Sequence, residues 1–103
     1  MDYKLKITDS AERDLDEILT YIIHELDNLD AALKLSDEIN DRYKKLKENP
    51  YLYPMCIDPR IKLLGYRRIV IGGFLLLYRI DQELKIVFVE RFFSQLQDYA
   101  AKI

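Results

Sequence analysis

Between Pro59 and Ile80 the chain carries five basic residues, Arg60, Lys62, Arg67, Arg68 and Arg79, and no acidic one. A guanidinium offers its N–H donors in a planar fork that matches a carboxylate or a phosphate, so this run is equipped to hold anions or an acidic protein surface. Arg67 and Arg68 are adjacent on a β-prone run and must leave a strand on opposite faces. Alternation groups Arg68 with Tyr66, Val70, Leu75, Leu77 and Arg79 on one face, with Ile69, Ile71, Phe74, Leu76, Tyr78 and Ile80 on the other. The second set is apolar and forms the core face; the first mixes arginine, tyrosine and aliphatics, the composition of a binding surface. The competing interpretation is a solvated sheet edge, with Arg60 and Lys62 as solvated loop residues.

Groups able to move a proton are sparse. His24 is the only histidine and falls late in the first helical segment, with no serine or cysteine nucleophile nearby, so a surface or core role is expected. Cys56 is the only cysteine, which excludes an intrachain disulfide and any thiolate cluster for zinc. Glu90 and Asp98 are expected to pair with arginines rather than with each other, and Tyr99 to be a packing or surface residue. No catalytic residue, cofactor or metal site is expected, and binding rather than catalysis is the anticipated mode of action.

Positioning these residues requires a sheet. Tyr3, Leu5 and Ile7 alternate with Lys4, Lys6 and Thr8 as in a half-buried strand. Thr8 or Asp9 can cap a helix whose apolar positions Ala11, Leu15, Ile18, Leu19, Ile22, Ile23 and Leu26 keep steps of three and four. Asp27 or Asn28 can cap a second helix through Ala32, Leu35, Ile39, Tyr43 and Leu46, stopped by Asn49-Pro50. Residues 49–64 hold all three prolines and form a long surface loop pinned by its aromatics. From Gly65 three β-prone runs follow, the first two joined by Gly72-Gly73, a pair suited to a primed two-residue hairpin turn. Ser94 can start a short C-terminal helix or tail. The expected fold is α+β in the order β-α-α-β-β-β, with a helical hairpin packed on one face of a mainly antiparallel sheet.

With 103 residues, half of them hydrophobic, one domain over residues 1–103 is expected, with a core adequate for a monomer. The net charge of −2 argues against a generic nucleic-acid binder, which gains affinity from a strong positive field. That total hides an asymmetry, because Asp9 to Asp30 holds eight acids against Arg13 alone. The N-terminus lacks the apolar run of a signal peptide and no uncharged stretch is long enough to span a bilayer; with a lone cysteine this predicts a cytoplasmic protein without membrane association.

The segment Asp14-Leu15-Asp16-Glu17-Ile18-Leu19-Thr20-Tyr21, the Asn49-Pro50 stop, Gly65-Tyr66-Arg67-Arg68 and Tyr78-Arg79 occur in the order and spacing of a known group. Over nearly its whole length the chain resembles the ParE/RelE superfamily toxins of type II toxin-antitoxin systems (plasmid stabilisation proteins), and is closer to ParE. The resemblance implies one of two activities, because ParE-like members poison DNA gyrase whereas RelE-like members cut messenger RNA in the ribosomal A site. RelE-like nucleases place an arginine just after an aromatic on the middle meander strand; here Phe74 is followed by Leu75. They also carry basic residues and a tyrosine or histidine near the C-terminus, whereas Arg91 to Tyr99 contains no histidine and no further base. Cleavage by 2′-hydroxyl attack needs a proton acceptor, a proton donor and positive charge on the phosphate, and that set is not evident.

The family expectation is therefore a ParE-like toxin that inhibits growth by binding DNA gyrase and is neutralised by a cognate antitoxin. Such an antitoxin would fold along the groove between helices and sheet and shield Leu75 and Leu77. Self-association as a homodimer through the same patch is the competing occupant. Arg60, Tyr66, Arg68, Leu75, Leu77, Arg79 and Arg91 are the expected target- or antitoxin-binding residues. The alternatives are a ribosome-dependent endoribonuclease using Arg68, Arg79 and Arg91, and an inactive toxin-like binding module.

Overall fold

The computed structural model describes residues 2–94. Strand β1 is Lys4–Ile7, helix α1 Asp9–Thr20, helix α2 Leu29–Glu48, a one-turn helix α3 Pro59–Lys62, and strands β2, β3 and β4 are Arg67–Ile71, Phe74–Asp81 and Ile86–Ser94. The expected order β-α-α-β-β-β holds, with α3 as an addition inside the long loop. The expected C-terminal helix falls outside the described residues.

Local chemistry explains the boundaries. The Thr8 hydroxyl accepts the Ala11 N–H at 3.1 Å and the Asn28 side chain accepts the Ala31 N–H at 3.0 Å, so each long helix starts on a side-chain cap. Helix α1 does not end at Thr20 but widens into a π-helical turn over Tyr21–Glu25. That extra width breaks the three-and-four spacing, leaving Ile22 buried and Tyr21 and Leu26 exposed. Helix α2 stops at Asn49, whose φ of −150° is the extended conformation forced on a residue before proline. Gly72 opens the β2–β3 turn at φ +58°, with no positive φ at Gly73, as in a primed turn that needs glycine at its first position.

The sheet order is β1-β4-β3-β2, with β1 parallel to β4 and the other neighbours antiparallel. Both long helices bury their apolar stripes on one sheet face. Ala11, Ile22, Ala32, Leu35, Ile39 and Leu46 meet Ile69, Ile71, Leu76, Tyr78, Val87, Val89 and Phe92 there, and Phe74 and Ile80 pack at the margin. The face assignment from alternation along β2 and β3 is therefore correct. On β4 the alternation breaks: Leu77 is opposite Arg91 but Tyr78 is opposite Val89, so Glu90 is an extra residue, a β-bulge.

The loop after α2 is pinned as expected. The buried Tyr78 hydroxyl donates to the Pro50 carbonyl at 2.6 Å, and the Arg67 guanidinium donates to the Tyr53 carbonyl at 2.6 Å. Burial pushes the Tyr78 hydroxyl well above its ordinary pKa; that of Tyr43, half-buried without a hydrogen-bond partner and near Glu12, is pushed up from 10.0 to about 12. A raised folded pKa favours the neutral phenol in the native state. Its stabilisation is complete below the unfolded pKa and is lost as pH rises from there through the folded value. Urea midpoints should accordingly fall between pH 10 and about 12. Tyr43→Phe should show a shallower fall, and identical slopes for the two proteins would refute this assignment.

Candidate functional site

The sheet face opposite the helices carries the charged residues, in rows set by strand register. Arg68 lies opposite Leu77, which lies opposite Arg91; one step along, Val70, Leu75 and Phe93 form a parallel row. Arg79 lies opposite Phe88, its guanidinium 4.2 Å from the centre of that ring. Tyr66, Arg68, Arg79 and Arg91 thus share this outer face. Arg67 leaves on the helix side, as expected from adjacency, and stacks 5.2 Å from the centre of the Tyr51 ring.

Expectation and structure part at Leu75 and Leu77. Both were placed on an open face needing an outside partner, yet Leu77 has no exposed surface and Leu75 only 7%. The chain supplies its own cover for Leu77. Helix α3 and the preceding loop fold over the outer face, so Cys56, Ile61, Leu77 and Phe93 make a second small core, with Tyr66 packed beside it. Helix α3 is short but well started: the Asp58 side chain accepts the Arg60 N–H at 2.9 Å, and Pro59 takes the first helical position. The loop also lies along the edge of β2, where the Cys56 N–H donates to the Tyr66 carbonyl and the Arg68 N–H to the Pro54 carbonyl.

Charges on the outer face are held largely in pairs. Glu90, brought there by the bulge, accepts Arg79 Nε at 3.2 Å and stands 3.5 Å from the Tyr66 hydroxyl, a long contact. Burial first, and Glu90 second, raise the Tyr66 hydroxyl above its ordinary pKa, so it is a phenol at neutral pH. Arg91 forks onto Asp14 of α1, Nε at 2.6 Å and the second nitrogen at 3.1 Å, and the same carboxylate accepts the Phe92 N–H at 3.0 Å. Asp14 thereby raises the Arg91 guanidinium above its already high pKa. The Thr8 hydroxyl, while capping α1, donates to the Glu90 carbonyl at 2.9 Å. Thr8 at the start of α1 and Asp14 in its middle therefore clamp the bulge.

Arg60 is directed elsewhere: its guanidinium forks onto Asp58 at the helix start, at 3.2 and 2.9 Å. Half-buried Arg68 is different. Its Nε is buried without a hydrogen-bond partner, beside the Cys56 thiol, whose pKa burial pushes up. His24 is exposed on the π-helical turn, an element of the helical layer rather than of this face. Among the described residues no group of histidine, cysteine, aspartate or glutamate could hold a metal ion.

Asp14, Glu90 as a bulge, and the Cys56–Ile61 cover were not assigned to the site from sequence. The bulge had one visible sign, because Val87, Val89 and Phe92 cannot share a face under strict alternation. Between α1 and the ends of β3 and β4 lies an open groove of about 500 Å³, lined by Ile18, Tyr21, Leu26, Phe74 and Phe92 with Arg91 and Asp14 at its polar end.

This fold is similar to that of chains in solved toxin-antitoxin structures. A chain of the chromosomal ParDE system of P. aeruginosa superposes with a TM-score of 0.69 at 23% identity, covering 89% of this chain and 95% of its own. A chain of the RelBE2 complex of Mycobacterium tuberculosis superposes with a TM-score of 0.59 at 22% identity, covering 91% and 99%. At those identities the likeness concerns the fold. Among curated proteins no sequence matches this one. The family model described as the ParE toxin of type II toxin-antitoxin system, parDE, matches residues 5–99, and the chain belongs to that family.

Proposed function

We propose that this ParE-family protein is one domain over residues 1–103, that it acts in the cytoplasm by binding DNA gyrase and arresting growth, and that a cognate antitoxin neutralises it. One observation carries the binding reading. Of the outer-face arginines, Arg79 and Arg91 are held in place by Glu90, Asp14 and an aromatic ring while Arg68 keeps an unpartnered nitrogen, an arrangement suited to recognition of a partner surface. Family membership supports gyrase as the target and an antitoxin as the partner. The groove beside α1, apolar with a charged end, has the character of a partner's seat.

Purified protein added to a supercoiling reaction is expected to stop gyrase from introducing supercoils into relaxed plasmid. Messages from induced cells should remain uncut within their codons. Unimpeded supercoiling together with codon-spaced cuts would replace this reading with the endoribonuclease one. Normal supercoiling, intact messages and normal growth with folded protein present would leave an inactive binding module.

A further inference from the structure

Helix α3 is held rigidly yet turns apolar residues toward solvent. Asp58 caps its first turn, Pro59 presets the first helical φ, and Gly65, at φ +82°, ends the unit in a conformation that glycine takes without strain. Backbone N–H groups of Leu63, Leu64 and Gly65 donate to the carbonyls of Pro59, Ile61 and Lys62 and close the turn. Ile61 is its one buried residue. Ile57, just before the turn, is 75% exposed and Leu63, just after it, 89%, the two most exposed large hydrophobics among the described residues, and Leu64 is exposed as well. Single apolar side chains on a surface need no partner, but a group of them set on a rigid turn marks a contact site. The charge around this ridge is positive. From Pro59 to Ile80 the chain has no acid, and Lys62 is exposed without an ion pair among the described residues. Half-buried Arg68, beside Cys56 under the cover, also lacks a carboxylate partner among the described residues. Asp58 and Glu90, which approach from this side, are engaged by Arg60 and Arg79.

We infer that the α3 ridge docks an amphipathic helix of a partner protein whose apolar stripe is flanked by acidic side chains. The stripe covers Ile57, Leu63 and Leu64, and carboxylates along its margin meet Lys62 and Arg68. Because caps at both ends order the ridge before any partner arrives, little conformational entropy is lost on this side of the contact. The turn between α1 and α2, with exposed Leu26, Leu29 and Leu33 among Glu25, Asp27 and Asp30, has the same acidic and apolar character, so a second copy of this chain is the rival occupant. Contact of that kind is head-to-tail: it leaves a free ridge at one end and a free turn at the other, and it propagates into filaments unless the rotation closes a ring. A helix from a different protein satisfies the ridge in one step, and it is the occupant the charge pattern favours. The inference rests on the proposed function only for the source of that helix, which we assign to the target; the groove beside α1 is a separate surface.

The test uses ¹⁵N-labelled full-length protein and two capped amphipathic peptides of about 20 residues, long enough to hold a helix in water. One flanks a leucine stripe with glutamate, and the other carries lysine in place of glutamate. The glutamate peptide should produce saturable amide shifts centred on residues 57–64, with a Kd of about 0.1 mM or tighter, and the lysine peptide should bind about tenfold more weakly or worse. Leu63→Ser/Leu64→Ser should weaken the glutamate peptide by about tenfold or more at unchanged Tm, since both side chains stand in solvent in the free protein. Lys62→Glu should narrow the preference between the two peptides. Absence of a saturable shift, shifts centred elsewhere, equal affinity for the two peptides, or unchanged binding by the double leucine variant would overturn the inference. Sedimentation of the free protein should show a monomer; self-association that the double leucine variant abolishes would assign the ridge to a second copy and overturn it too. None of these readouts involves gyrase, so failure here and failure of the toxin reading are separable.

Discussion

Replacing Asp14 with alanine is expected to lower unfolding stability by about 2 to 3 kcal/mol, enough to drop the Tm of a domain this size by roughly 10 °C or more. The carboxylate accepts three hydrogen bonds, two from Arg91 and one from the Phe92 backbone, and ties α1 to β4 across 77 positions of sequence. Its removal takes two acceptor contacts from a half-buried guanidinium and one from a backbone N–H, and losing such contacts costs more than the net gain from forming them. Partial exposure keeps the loss below that of a fully buried pair, because solvent can reach Arg91. Asp14→Asn, which retains one carbonyl acceptor, should fall between alanine and the native residue. The contrast is Asp41→Ala: that carboxylate bonds Arg42 and Lys45 on the open helix surface, where solvent screens the pair, and should show no measurable change. Thermal unfolding followed by circular dichroism ranks the three; equal losses at Asp14 and Asp41 would refute the anchoring role.

The second large effect concerns Cys56. With 1% of its surface exposed and its thiol pushed up in pKa by burial, it should react with a disulfide reagent only when the loop and α3 lift from the outer face. Ile61 is the buried side chain by which α3 holds down that cover. Ile61→Ala should cost about 2 to 4 kcal/mol. If the loss falls on local opening, thiol labelling accelerates by about 30-fold or more at unchanged global fold. An unchanged labelling rate would show that the cover is held by something other than Ile61.

These two predictions also mark where sequence reasoning succeeds and where it stops. Helix limits were legible because they are local: Thr8, Asn28 and Asn49-Pro50 act on backbone groups within four residues. The sidedness of β2 and β3 was legible because Ile69, Ile71, Leu76 and Tyr78 alternate without interruption up to a glycine turn. The cover over Leu77 was not, since Cys56 and Ile61 stand among prolines and follow neither helical nor strand period, so their burial is a tertiary fact. Nor was the Asp14–Arg91 pair, whose partners lie far apart in the chain and meet only once the Glu90 bulge has shifted β4 by one residue. That shift moves Arg91 beside α1 and leaves Glu90 to hold Arg79. The charged face was therefore readable as a set of residues but not as a set of partnerships. No helix among the described residues is long and apolar enough to cross a membrane.

The placement of Arg68 and Arg79 follows from the same alternation, and it carries the functional account. Both lie on the face away from the helices, Arg68 with an unpaired buried nitrogen and Arg79 stacked on Phe88. A docked acidic surface would find one guanidinium already oriented and another lacking a carboxylate partner among the described residues.

Growth of cells after induction of the native chain and of the Arg68→Ala/Arg79→Ala double variant, at matched levels of folded protein, tests this most directly. Native protein should arrest growth and the double variant should not, with a Tm confirming that the variant is folded. Arrest by the double variant equal to that by native protein would show that the outer face of the meander is not the surface that engages the target.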